Sequence, residues 1–137
     1  MNKVVAVDEE YIFDGSMIIS QTDLKGKITF ANRKFCEISG YKIDELVGSN
    51  HNIIRHPDMP KIIFAKMWES IQGGQSWNGL VKNIRKDGLY YWVDTEIIPV
   101  RNDKQELTGY IAVRTAASRN DIKENEVLYK KMLESQK

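Results

Sequence analysis

The sequence predicts an α+β domain built around an antiparallel sheet. Three observations carry this. Strand-like stretches occur twice near the start and three times near the end. Between the two groups lies a helical period, Ile63, Met67 and Ile71, with Phe64 and Trp68 on the adjoining row. Turn signals join successive strands at Asp23-Leu24-Lys25-Gly26, Asp87-Gly88 and Asn102-Asp103-Lys104-Gln105.

Taken in order, residues 17–22 and 27–31 form a hairpin around Gly26. Asn32 is placed as the N-cap of a short helix closed by Gly40, and a further turn of helix over 43–47 ends at Gly48. Residues 49–59 have no period and hold both histidines. Asp58 as N-cap and Pro60 in the first turn open the long helix, which Gly73-Gly74 ends. From residue 76 the period is two, with Trp77, Gly79, Val81, Asn83 and Arg85 in one phase. Strands over 89–99 and 107–115 follow. Ser118 with Asp121 opens a closing helix whose Ile122, Tyr129, Met132 and Leu133 share a face. The expected division is a cap segment over 1–16, the main domain over 17–117 and a helix over 118–137.

Composition narrows the function. The 137 residues carry 20 Lys+Arg against 19 Asp+Glu, a net charge of +1, so there is no basic footprint for nucleic acid. A single cysteine cannot form an internal disulfide, which fits a reducing cytoplasmic setting. No apolar run approaches a membrane span, and Val4 to Val7 is too short for a signal peptide. Nucleophile elbow, phosphate-binding glycine loop and paired carboxylates are all lacking, which argues against an enzyme. His51, His56 and Asp58 match no usual metal-ligand spacing.

The element order resembles a PAS domain, through Thr29-Phe30-Ala31-Asn32, Phe35 to Tyr41, Asp44 to Gly48 and Gly109-Tyr110-Ile111-Ala112-Val113. That resemblance implies a five-stranded antiparallel sheet in the order 2-1-5-4-3 with helices on one face. The run Arg55-His56-Pro57-Asp58-Met59-Pro60, with Met67-Trp68, Trp77, Asn83 and Tyr91-Trp92-Val93, is similar to the aerotaxis-transducer branch, which holds FAD without a covalent bond.

Each residue carries a functional reading beside a structural one. Arg55 is a fork suited to phosphate, with His56 as ring N–H donor, whereas spacing alone lets Arg55 and Asp58 simply pair and cap. Trp68 reads as core from its period and as a wall beside the flavin from the resemblance. Trp77 fits either role. Asn83 is in phase with apolar neighbours, so its buried amide needs a partner, which the resemblance supplies as the polar edge of the flavin. Asn32 can serve the cofactor or only cap its helix. His51 stands where blue-light relatives carry the cysteine that bonds to flavin, and Cys36 lies in another helix, so adduct chemistry is not expected.

The implied function is a redox or oxygen sensor for aerotaxis, passing its signal to a chemoreceptor module and pairing as a homodimer through the sheet or terminal helices. Reduction would change the ring's hydrogen-bonding edge, Asn83 would rotate its amide to follow, and the strain would travel to 113–115 and the closing helix. A haem-binding gas sensor with His51 or His56 as ligand is the first alternative, and a cofactor-free interaction module the second.

Overall fold

The computed structural model describes residues 4–136, so residues 1–3 of the expected cap segment and residue 137 of the closing helix lie outside it. Five strands, β1 (Ile18–Thr22), β2 (Ile28–Ala31), β3 (Trp77–Ile84), β4 (Tyr90–Arg101) and β5 (Leu107–Ala116), form one sheet in the order β2-β1-β5-β4-β3. Every neighbouring pair is antiparallel, as the resemblance implies.

The β1–β2 hairpin is set by its turn. Asp23 Oδ1 accepts from the N–H groups of Lys25 and Lys27, each at 2.9 Å, and Gly26 takes φ +87°. Asn32 then caps α1 (Arg33–Ser39), its side-chain oxygen accepting from Phe35 N at 3.0 Å. The same oxygen accepts from Ile19 N, and its amide nitrogen donates to Met17 O. One asparagine thus ties α1 to β1. Helix α2 (Ile43–Leu46) and a 3-10 turn (His51–Ile54) lead to α3 (Lys61–Gln72).

The start of α3 corrects the expected cap. Pro60 is the N-cap, in extended backbone and with no side-chain bond to the helix, so Asp58 lies too early to cap it. The Asp58 carboxylate instead faces Lys82 Nζ at 3.4 Å, while its N–H donates to His56 Nδ1 at 3.0 Å. The first N–H of α3, that of Lys61, is satisfied by Gln136 Oε1 from the far end of the chain.

Helices α1 to α3 cover the face of the sheet presented by Ser20, Val81, Asn83, Thr95 and Arg114. The closing helix α4 (Arg119–Ser135), capped by Ser118 Oγ on Asp121 N, crosses the opposite face. The reason lies in β3 and β4, whose outward residues Leu80 and Trp92 are apolar and need cover. Tyr129 stacks on Trp92 with ring centroids 6.2 Å apart, and its hydroxyl donates to Leu80 O at 2.6 Å. With the sulfur of Met59 accepting from Lys82 N, this bond shields the free edge of β3.

Candidate functional site

The covered face of the sheet places polar residues where a core would ordinarily be apolar. In register across four strands lie Ile18, Arg114, Thr95 and Gly79. Arg114 is 2% exposed and Asn83 3% exposed, and Ser20 is fully buried. Above them α3 contributes Phe64, Met67, Trp68 and Ile71. The Trp68 ring stands edge-to-face on Tyr110 at 5.9 Å.

Between helix and sheet lies a cavity of about 100 Å³, widening through a mouth edged by Gly26, Asn50, Asn52 and Arg55. Its wall is mixed by design. Trp68, Phe64, Val81 and Ile97 make apolar sides, and Asn83, Thr95, Arg114 and His51 make a polar closed end. Two arginines line the cavity and no acidic residue does.

The closed end is organised around the Arg114 guanidinium. Its Nη2 donates to Ser20 Oγ at 2.9 Å and to His51 Nε2, and its plane lies over the Phe35 ring, 5.0 Å from the centroid. Nη1 is buried with no hydrogen-bond partner among the described residues, and so are Thr95 Oγ1 and Tyr91 Oη. Burial lowers the Arg114 pKa to about 10, which leaves it charged at neutral pH. Burial first, and then the Arg114 charge, push His51 down to about 3. The imidazole is enclosed although the residue as a whole is only part-buried. His51 is therefore neutral.

Four of the eight expected residues meet at this cavity: Arg55, Trp68, Asn83 and His51. Arg55 sits at the mouth with its guanidinium 3.7 Å from the Phe64 ring centroid. The other four lie outside the lining. His56 is 4% exposed and packs edge-on to Tyr90, its pKa lowered by burial and by Lys82. Because Nδ1 accepts from Asp58 N, the ring proton of neutral His56 is on Nε2. Asp58 faces Lys82, Asn32 caps α1, and the Trp77 indole folds back over Gly79, where an added Cβ would lie 2.6 Å from the ring.

From the sequence, Arg114 and Thr95 have no assigned site role, and Tyr110 enters only within the motif that marks the fold. A usable signal existed for Arg114, since it alternates in phase with Tyr110 and Ala112, the same argument that picks out Asn83.

Neither imidazole presents a free lone pair to the cavity. An arginine can only donate, so His51 Nε2 is the acceptor and its proton sits on Nδ1. The described residues contain no group of three or more His, Cys, Asp or Glu able to hold a metal ion, and no helix among them is long and apolar enough to cross a membrane.

Residues 28–114 match the PAS fold family. The chain belongs to that family. Over 118 residues, 85% of this chain, it is 47% identical to the aerotaxis receptor of Escherichia coli strain K12, and it spans 23% of that protein's length. A nitrogen fixation regulatory protein of Klebsiella pneumoniae is 36% identical over 99 residues, 72% of this chain and 20% of the relative. The light-state structure of the blue-light photoreceptor Aureochrome1 LOV superposes with TM-score 0.70 at 22% identity, covering 87% of this chain and 90% of that one, which speaks for the fold alone. The matched stretch thus corresponds to about a quarter or less of the length of these two curated relatives.

Proposed function

We propose that this PAS domain binds FAD in the cavity and reports redox state or oxygen to a chemotaxis signalling pathway. One observation carries the reading: a cavity walled by Trp68 and Phe64 is lined at its other end by buried polar residues, of which Arg114 Nη1 and Thr95 Oγ1 have no hydrogen-bond partner among the described residues. A flavin needs that combination of apolar slot and polar edge contacts. The likeness to the aerotaxis receptor supports the signalling half of the proposal.

Arg114 Nη1, Thr95 Oγ1 and the Asn83 amide would hold the polar edge of the ring, with Trp68 and Phe64 as walls. Arg55 at the mouth would take the pyrophosphate. His56 and Asp58 act one step back, fixing the turn that carries Arg55. When bound, the flavin supplies a centre that accepts and returns electrons. The ring is larger than the enclosed space, so binding requires α3 to ease off the sheet. That interface is apolar on the side of Met67 and Ile71 and can shift without breaking ion pairs.

Two routes lead from the closed end to α4. Arg114 lies on β5, four residues before the Ser118 cap. Asn83 lies on β3, whose Leu80 carbonyl receives the Tyr129 hydroxyl. A change in charge or donor pattern at the edge of the ring would favour one arrangement of Arg114 and Asn83 over another, and only that difference in free energy can pass a signal. The partner would be a chemoreceptor signalling module, with the protein on the cytoplasmic side.

Amide hydrogen exchange over α4, compared between oxidised and chemically reduced flavin-loaded protein, tests this. The reading expects altered protection near Ile122 and Tyr129. Identical exchange in the two states would overturn the signalling role.

A second reading rests on the sheet's outer face, where Phe30 is 47% and Ile98 37% exposed, with Ile111 between them in register through Gln21. Such a row fits pairing of two copies, with or without a cofactor.

A further inference from the structure

We propose that α4 carries a self-complementary stripe, Glu124, Val127, Leu128 and Lys131, through which two copies of this chain pair with their α4 helices antiparallel. The pairing needs no cofactor and stands apart from the flavin reading. It also differs from pairing through the sheet row of Phe30 and Ile98, and the test separates the two.

The helical period sets the stripe apart from the core. Ile122 and Tyr129 are buried and hold α4 to the sheet. Glu124, Val127, Leu128 and Lys131 follow the spacing i, i+3, i+4, i+7, so they share a face turned away from that seam. All four are exposed, Val127 by 59% and Leu128 by 47%. Glu124 and Lys131 enter none of the ion pairs among the described residues. Beside the stripe, Leu128 and Met132 form a shallow groove with the exposed Ile62 of α3, which widens the apolar surface.

Charge chooses the occupant and its direction. Crossed antiparallel midway between residues 127 and 128, two α4 helices set Val127 against the partner's Leu128. The same crossing sets Glu124 against the partner's Lys131, and the two-fold symmetry of a pair repeats both contacts. Asn120 and Ser135, exposed one turn beyond each end of the stripe, also come opposite one another, and neither carries charge. A parallel pair would instead bring Glu124 against the partner's Glu124 and Lys131 against the partner's Lys131, like charges at both ends. A foreign helix of one charge sign would satisfy one end of the stripe and oppose the other, whereas a second copy satisfies both. A single helix crossing covers less than the roughly 1,200 Å² at which standard interfaces begin. The pairing is therefore weak, and salt screens its exposed ion pairs.

The test is sedimentation velocity of the chain, cofactor-free and after FAD incubation alike, at low salt and at about 0.5 M salt. The expected mass rises towards that of a dimer between about 10 µM and about 1 mM protein, and less steeply at high salt. Glu124→Lys and Lys131→Glu should each weaken pairing roughly tenfold or more, because each puts like charges together twice. The variant carrying both changes should pair again, since the charges then meet in exchanged places. Val127→Asp should abolish pairing, and Phe30→Ser should leave it unchanged. All three stripe positions are exposed, so their variants keep the fold, which circular dichroism checks. A wild type that stays monomeric throughout would overturn the proposal and leave the stripe to a different protein. Single variants that pair like the wild type, or a double variant that does not recover, would overturn it as well. Loss in Phe30→Ser with pairing intact in the α4 variants would assign the contact to the sheet instead. None of these results bears on whether the protein takes up FAD.

Discussion

Arg114 Nη2 donates to His51 Nε2 at the closed end of the cavity, and this contact fixes which His51 nitrogen carries the proton. It places the His51 proton on Nδ1 and sets a neutral ring beside a buried cation. A haem iron seeking His51 would have to displace Arg114 first.

Burial of the His51 ring, with the Arg114 charge beside it, makes stability depend on pH. His51 has a folded pKa of about 3 against an ordinary value of 6.5. Between those values the unfolded chain binds a proton that the folded chain refuses, so stability is whole above pH 6.5 and falls as pH drops towards 3. His56 is also lowered and adds in the same direction. Denaturant melts should show a loss on the order of 2 kcal/mol between pH 7 and pH 5. His51→Gln should flatten that slope.

Asn83→Ala removes a buried amide from the closed end while sparing the apolar walls. The variant should bind FAD at least tenfold more weakly, or bind it without a redox response, as read by fluorescence titration and reductive titration. Full occupancy with a wild-type response would remove Asn83 from the mechanism.

Gly26 sits at the mouth with φ +87°, and a Cβ added there would lie 3.2 Å from the Trp68 ring. Gly26→Ala should cost about 1–2 kcal/mol in a urea melt from backbone strain. It should also shift Trp68 fluorescence, because the ring must give way. An unchanged melt would show that the turn relaxes freely.

Tyr129→Phe deletes the hydroxyl that bonds Leu80 O and leaves the stack on Trp92 in place. Burial pushes that phenol up to about 12, so it is a donor at every physiological pH. The expected loss is about 1–2 kcal/mol, with faster amide exchange at the end of α4. A neutral substitution would detach α4 from the β3 route.

Much of this was readable from residue order. Asp87-Gly88 and the Asp23 turn announce hairpins because few residues tolerate those backbone angles, and the phase of β3 put Asn83 on the covered face. Asp58 misled because a cap residue is recognised only by its position. Two residues separate Asp58 from the helix start, and Lys82, distant in sequence, claims its carboxylate. Trp77 shares the phase of Asn83, yet its ring lies over Gly79. Strand alternation gives the side a residue faces but not where a long side chain goes. Gln136 capping Lys61 and Tyr129 reaching Leu80 join positions 75 and 49 residues apart, which no local pattern encodes.

The visible absorption spectrum of the purified protein, taken as isolated and again after incubation with FAD and removal of excess, is the most direct test of the central claim. The account predicts the spectrum of bound oxidised flavin, with release of FAD on heating. Colourless protein after incubation, or a haem spectrum, would contradict it.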